Sequence, residues 1–101
     1  MNRIEKKAYQ ILLNQGYLVE KPRRVKWLPQ DYFNCFDFIA VNDKEIRFIQ
    51  VSKVPWTRRN LEYRERFENF PCPPNCRKEY WTFNRKTGDF EIKIIERKVE
   101  S

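Results

Sequence analysis

The chain has 101 residues, of which 41% are hydrophobic, and this is enough for one domain with a single packed core over residues 1–101. No stretch is apolar enough to span a membrane and the start of the chain lacks the apolar run of a signal peptide, so a cytoplasmic, intracellular protein is expected. The net charge of +7 predicts affinity for polyanions, and the absence of histidine excludes Ser-His and Cys-His nucleophile pairs.

The first predicted element is a helix over residues 2–15, where apolar side chains recur at helical spacing. Asn2 is its expected N-cap because Glu5 follows three residues later, and Gly16 is expected to end the helix in a left-handed conformation. Glu5 also lies on the apolar stripe of this helix. Capping of the first turn and an inward-facing position therefore both stay open for its carboxylate.

The central part of the chain is predicted to form β structure. A short strand over 17–20 is followed by extended structure at 25–27. A β-hairpin comes next, with strands over 33–41 and 46–53 that are rich in β-branched and aromatic residues. Its turn at 42–45 contains Asn-Asp, a pair that is typical of turns.

Two polar side chains interrupt the apolar strands of this hairpin. Asp37 lies between Phe36 and Phe38, and Gln50 lies in the apolar run 48–51. A carboxylate in such surroundings is costly to bury unless a metal ion or another partner compensates its charge, and such conflicts often mark functional sites. The alternative is structural: backbone N–H groups or an arginine hold the carboxylate, and the amide satisfies a backbone group.

A second helix and a second hairpin complete the predicted fold. Thr57 is expected to cap a helix over about 58–69, and the prolines from Pro71 onward stop it. The hairpin covers about 79–97, with its turn at 84–89. The resulting order, α-β-β-β-α-β-β, predicts an α/β or α+β domain whose central mixed sheet is flanked by helices.

The charged residues are unevenly distributed along the chain. Residues 21–30 carry four cations and no acid, whereas residues 31–50 carry four acids and two cations. Carboxylates surrounded by cations are the arrangement expected of a metal-assisted nuclease, in which the cations contact phosphate. The cations expected to contact nucleic acid are Lys21, Arg23, Arg24, Lys26, Arg58 and Arg59.

This order of elements, with an acidic residue on the second strand and a glutamine on the third, resembles the PD-(D/E)xK nuclease superfamily. The superfamily includes restriction-endonuclease-like domains and archaeal Holliday-junction resolvases. The strings that carry the resemblance are DYFNCFDFIAVNDKEIRFIQVSK and the terminal hairpin YWTFNRKTGDFEI. The resemblance implies a restriction-endonuclease-like αβββαβ(β) core, DNA as the partner, phosphodiester hydrolysis and, as in resolvases, a homodimer.

Carried over to this chain, the resemblance makes Asp37 the metal-binding aspartate and puts Gln50 in the place of the second acid. Glu5 completes the metal site, and the Val51 carbonyl is a further oxygen ligand. Mg²⁺ suits this oxygen-rich set, and Mn²⁺ can substitute for it. Such an ion lowers the pKa of a bound water and polarises the scissile phosphate.

The lysine of the family motif is missing from its expected place. Ser52 stands there, two residues after Gln50, while the candidate catalytic Lys53 is one residue further along and needs a β-bulge to reach the site. Lys26 is another source of the charge. Three functions therefore stay open: a Mg²⁺-dependent deoxyribonuclease, a non-catalytic nucleic-acid-binding protein on a decayed nuclease scaffold, and a protein-interaction module with partly exposed tryptophans. These tryptophans are Trp27, Trp56 and Trp81.

Overall fold

A computed structural model describes residues 1–21 and 35–96, which form a mixed α+β fold with two α-helices and a five-stranded sheet. The elements follow the predicted order, with one short 3₁₀-helix before the second α-helix. They are α1 (Arg3–Asn14), β1 (Leu18–Glu20), β2 (Phe38–Val41), β3 (Ile46–Ser52), the 3₁₀-helix (Trp56–Arg58), α2 (Leu61–Asn69), β4 (Cys76–Asn84) and β5 (Asp89–Ile94). Neither α-helix in these ranges has the length and apolar character that crossing a membrane requires.

The capping signals at both ends of α1 are confirmed. The Asn2 side chain accepts a hydrogen bond from the Glu5 N–H at 2.8 Å, and the Glu5 carboxylate accepts one from the Asn2 N–H at 3.3 Å. This capping box satisfies N–H groups for which the start of a helix offers no intrahelical partner. Beyond the other end, Gly16 has a φ of +90°, which a residue with a Cβ adopts only at a cost.

The sheet is mixed because one of its neighbouring strand pairs is parallel. Its strand order is β1-β2-β3-β4-β5, and the other three neighbouring pairs are antiparallel. In the parallel pair of β3 and β4, Ile46 lies opposite Cys76 and Ser52 lies opposite Thr82. Parallel neighbours need a crossover connection, and α2 lies within this one. The predicted central mixed sheet is therefore confirmed.

Each α-helix packs on a different face of the sheet. One buried cluster contains Ala8, Leu12, Phe38, Ala40, Ile49, Val51 and Trp81. A second contains Cys35, Phe36, Trp56, Phe67, Tyr80 and Ile95, with Phe48 packed against it. Successive residues of a strand point to opposite faces, so the division of Tyr80 and Trp81 between the clusters puts the clusters on opposite sides of the sheet. We call these sides the α1 face and the α2 face.

A buried ion pair links the two central strands on the α1 face. Arg47 of β3 is 5% exposed and Glu79 of β4 is 1% exposed. The guanidinium donates to both carboxylate oxygens at 2.6 and 2.8 Å, and the Trp81 Nε1–H donates to the same carboxylate at 2.9 Å. Burial raises the pKa of Glu79, but the hydrogen bonds and charge of Arg47 outweigh burial and hold this pKa below its ordinary value.

Lys78 binds the C-terminal end of α2 from β4. Its side chain is fully buried on the α2 face. Its Nζ donates to the carbonyls of Phe67, Glu68 and Phe70 at 2.8, 2.6 and 3.0 Å. Carbonyls at a helix C-terminus lack intrahelical donors and carry a partial negative charge, so this ammonium stabilises the end of α2 and fixes the helix to the sheet.

The second helix begins later than predicted. Residues Trp56–Arg58 form a 3₁₀-helix, and α2 starts at Leu61. The Asn60 side chain accepts a hydrogen bond from the Tyr63 N–H at 2.8 Å, so Asn60 is the N-cap. The prediction that Thr57 caps this helix is wrong, because the preceding chain is used for the separate 3₁₀ turn.

Two strand boundaries also differ from those predicted. β4 begins at Cys76 instead of about residue 79, because it pairs with the whole length of β3. Within the described residues, the strand predicted over 33–41 begins only at Phe38. The extended segment predicted at 25–27 lies outside the described residues.

Candidate functional site

Asp37 and Gln50 come together at the backbone of Val51. Asp37 lies directly before β2, and its Oδ2 accepts a hydrogen bond from the Val51 N–H at 2.9 Å. Gln50 lies in β3, and its Nε2 donates to the Val51 carbonyl at 3.3 Å. Phe38 of β2 lies opposite Ile49 of β3 in an antiparallel pair, so Asp37, which precedes Phe38, is a neighbour of Gln50, which follows Ile49. The structure thus brings these two predicted site residues to the C-terminal end of β3.

Gln50 carries an unmet hydrogen-bond acceptor at this site. The residue is 7% exposed, and its Oε1 has no hydrogen-bond partner among the described residues. A buried acceptor without a partner costs free energy, so a cation, a water or a ligand donor would be held there. The amide of Gln50 already occupies the Val51 carbonyl, which the family resemblance makes a metal ligand.

Arg59 adds a positive charge that interacts electrostatically with Asp37. Its guanidinium stacks on the ring of Tyr63, 3.9 Å from the ring centroid. Burial lowers the pKa of Arg59, but Tyr63, Tyr80 and the Asp37 carboxylate outweigh burial and raise it above the ordinary value. Burial also raises the pKa of Tyr63 to about 12, although the charge of Arg59 opposes this shift. Tyr80 lies opposite Gln50 in the sheet, so Arg59 and the two tyrosines border the site formed by Asp37 and Gln50.

Glu5 is held on α1 by Lys21. Its Oε2 accepts a hydrogen bond from the Lys21 Nζ at 2.5 Å, in addition to its capping bond with Asn2. Burial raises the pKa of Glu5, but Lys21 and the hydrogen bond with Asn2 together outweigh burial and hold this pKa below its ordinary value. Glu5, the predicted metal ligand, and Lys21, a predicted nucleic-acid contact, therefore form an ion pair with each other. No three His, Cys, Asp or Glu side chains converge as metal ligands in the described ranges.

Lys53 is exposed and lies beside the start of α1. It lines a depression of about 290 Å³ together with Asn2, Arg3 and Ile4. β3 pairs with β4 in a regular register as far as Ser52, so no bulge in the strand turns Lys53 toward Gln50. The structure places Lys53 on the α1 side of the strand end and does not bring it together with Asp37.

The two predicted nucleic-acid contacts in the segment before α2, Arg58 and Arg59, differ in their exposure to solvent. Arg58 is exposed in the 3₁₀-helix, whereas Arg59 is partly buried against Tyr63. Only Arg58 of these two is therefore fully available to a ligand. Three further predicted contacts lie outside the described residues: Arg23, Arg24 and Lys26.

Two of the three tryptophans are buried. Trp56 is 8% exposed and packs edge-on against Phe67 and Tyr80, with ring centroids 5.2 and 5.3 Å apart. Trp81 is fully buried on the α1 face. The prediction that these tryptophans are partly exposed is wrong for both, because both are core residues, and Trp27 lies outside the described residues.

Arg3 is a candidate ligand contact that the sequence reasoning missed. It is the first residue of α1, it is exposed, and it lines the same depression as Lys53. A signal for it was present, since the capping box marks the start of the helix and helix N-termini favour anions. The nearness of Lys53 depends on how α1 packs on the sheet, and local sequence does not reveal it.

No protein-family model matches the chain, and no match is found among curated proteins or solved structures. The resemblance to PD-(D/E)xK nucleases therefore rests on motifs and on the order of elements, and it stays a prediction. The coarser fold is established for the described ranges: a five-stranded mixed sheet with two α-helices.

Proposed function

We propose that the chain is a nucleic-acid-binding protein with a restriction-endonuclease-like core, and that it binds the phosphate backbone at the start of α1. The observation that carries this proposal is the depression of about 290 Å³ lined by Arg3 and Lys53. Both are exposed cations, one at the start of α1 and the other just after β3, and the net charge of +7 adds a general attraction for polyanions. DNA is the expected ligand because the hairpin motifs resemble those of a DNA-cleaving family.

The helix terminus strengthens this basic depression as an anion site. A helix N-terminus carries roughly half a positive charge, and its first N–H groups point away from the helix toward a ligand. The capping box uses the N–H groups of Asn2 and Glu5, whereas those of Arg3 and Ile4 have no intrahelical acceptor. The nearby Glu5 carboxylate is paired with Lys21, so its negative charge is compensated.

Lys53→Ala and Lys44→Ala form a matched pair for testing this proposal. Both lysines are exposed, both changes remove one positive charge, and the two residues lie beyond opposite ends of β3. Lys53→Ala is expected to weaken DNA binding several-fold and to reduce the slope of log affinity against log salt by about one unit. Lys44→Ala is expected to stay close to wild type.

Fluorescence anisotropy with labelled duplex, single-stranded and branched DNA measures both quantities. Equal losses in the two variants would show that net charge acts without a defined site. Failure of the wild-type protein to bind any of the three DNA forms at low salt refutes the proposed function.

A second candidate function, Mg²⁺-dependent phosphodiester hydrolysis, is favoured by the Oε1 of Gln50, for which residues 1–21 and 35–96 offer no hydrogen-bond partner. This oxygen and the Asp37 carboxylate are ligands of the kind that Mg²⁺ prefers, and they fit the ion provided that phosphate and water complete its shell. When bound there, the ion would polarise a phosphate oxygen and lower the pKa of a bound water. Glu5 is engaged with Lys21, so Asp37 would be the principal carboxylate ligand.

In this second candidate, Arg59 takes the role of the missing motif lysine. Its guanidinium, whose charge interacts with that of Asp37, would stabilise negative charge that develops on a phosphate bound there. Arg59→Ala is expected to abolish Mg²⁺-dependent cleavage, while the exposed neighbour Arg58→Ala changes only affinity. Cleavage that persists in Asp37→Asn, measured with Mg²⁺ and with Mn²⁺, would rule out this site for hydrolysis.

A further inference from the structure

β5 is an edge strand with exposed apolar side chains. It is the last strand in the sheet order, and within residues 1–21 and 35–96 no strand pairs with its outer side. Ile92 is 46% exposed and Ile94 is 53% exposed. An exposed apolar edge strand presents unpaired N–H and carbonyl groups, which pair readily with a strand of another chain.

The backbone groups that face outward on β5 follow from its pairing with β4. The Ile95 N–H donates to the Lys78 carbonyl at 2.9 Å, so the backbone of Ile95 points toward β4. In an antiparallel pair this direction alternates along the strand. The backbone groups of Lys93 and Glu91 therefore also point inward. Those of Phe90, Ile92 and Ile94 point toward the outer edge, where no described strand pairs with β5.

We infer that two copies of this chain associate through β5, as antiparallel edge strands related by a twofold axis at Ile92. In this register Ile92 lies opposite Ile92 of the second copy, and Phe90 lies opposite Ile94. These three pairs all join residues with outward-facing backbone groups, so they form about six hydrogen bonds between the copies. Both Ile92 and Ile94 lose solvent exposure at the same time.

The charges of β5 select this register over its neighbours. With the axis at Ile92, Glu91 of each copy lies opposite Lys93 of the other, which gives two ion pairs. Moving the axis by one residue puts Glu91 opposite Glu91 or Lys93 opposite Lys93, and like charges directly opposite each other are destabilising. The strand is therefore complementary to a second copy of itself, as a twofold interface requires.

Contact through one strand pair is smaller than a standard interface of about 1,600 Å². The dimer is therefore expected to dissociate on dilution. Sedimentation velocity of the full chain, over concentrations up to about 1 mM, measures its dissociation constant. The wild type is expected to shift from monomer to dimer within this range.

Charge reversal in β5 tests the register. Lys93→Glu places like charges opposite each other at both ion pairs, and it is expected to weaken the dimer at least about tenfold. Glu91→Lys is expected to have the same effect. The double variant, Glu91→Lys with Lys93→Glu, restores opposite charges and is expected to dimerise like the wild type. Lys86→Glu, an exposed turn residue with the same charge change, is the control.

Mixing the two single variants provides a test that does not depend on folding of the double variant. Each is expected to be monomeric alone, whereas the mixture is expected to form a heterodimer in which both ion pairs have opposite charges. A wild type that stays monomeric up to about 1 mM overturns the inference. So do single variants that dimerise as strongly as the wild type, or a mixture of folded variants that stays monomeric.

Discussion

Replacing Glu79 with glutamine is expected to destabilise the protein by about 3–5 kcal/mol, because it leaves a buried guanidinium without its counter-ion. Glu79 is 1% exposed and binds Arg47, which is itself 5% exposed, through two hydrogen bonds of 2.6 and 2.8 Å. Glutamine keeps one oxygen that accepts from the Trp81 Nε1–H, but its NH2 group replaces the oxygen that accepts from the Nε atoms of Arg47 and Arg77, so the change removes one acceptor together with the charge. Arg77, 3.2 Å from the same carboxylate, loses a second ion pair.

Thermal and urea unfolding followed by circular dichroism measure this loss. For a domain of about this size the midpoint temperature is expected to fall by roughly 12 °C or more. Glu65→Gln, which removes an exposed carboxylate on α2, is the control and is expected to change stability by less than about 0.5 kcal/mol.

A double variant separates loss of charge balance from loss of packing. Adding Arg47→Met to Glu79→Gln removes the stranded cation, so the double variant is expected to be more stable than Glu79→Gln alone. A single variant that loses less than about 1 kcal/mol, or a double variant less stable than the single one, would refute the reasoning.

The stability difference between the wild type and Glu79→Gln is expected to depend on pH in a defined direction. The pKa of Glu79 is depressed in the folded state from its ordinary value of 4.5. The stabilisation is therefore fully present above the unfolded value and is lost as the pH falls through the folded pKa. The stability difference between wild type and Glu79→Gln is expected to be constant above about pH 5 and to shrink below it.

Three further changes probe the α2 face. Lys78→Met removes the ammonium that binds three carbonyls at the end of α2, and thermal unfolding is expected to show a loss of about 1–3 kcal/mol. An absorbance titration is expected to show Tyr63 ionising at about pH 12, and the Tyr63→Phe variant is expected to lack this step. Because the pKa of Tyr63 is higher in the folded state, its contribution to the free energy of unfolding is complete below pH 10 and is lost as the pH rises toward 12. Ser52→Lys places an ammonium two residues after Gln50 on the same face, and it is expected to raise Mg²⁺-dependent cleavage. A folded Ser52→Lys protein that cleaves no DNA form with Mg²⁺ or Mn²⁺ contradicts the hydrolytic candidate.

Local signals predicted the elements of this fold but not all of their limits. The capping box of Asn2 and Glu5 and the left-handed Gly16 fix α1 through neighbouring residues, so the sequence was sufficient there. Thr57 and Asn60 are both good capping residues, and local chemistry did not distinguish them. The choice depends on the 3₁₀ turn at Trp56–Arg58, which buries Trp56 in the core.

The candidate site was partly predictable for a similar reason. Asp37 and Gln50 meet because they belong to one hairpin, whose pairing follows from its turn and its alternation. Arg47 and Glu79 lie 32 residues apart and meet only because β3 and β4 pair through a crossover. The same dependence on tertiary packing hid the nearness of Lys53 to Arg3.

Phosphate binding between Arg3 and Lys53 is tested by the salt dependence of DNA affinity. The measurement compares wild type with the double variant Arg3→Ala and Lys53→Ala, with circular dichroism confirming that both are folded. The variant is expected to bind DNA more weakly, with a slope of log affinity against log salt that is shallower by about two units, because two phosphate contacts are lost. An unchanged affinity and slope in the double variant would contradict phosphate binding between Arg3 and Lys53.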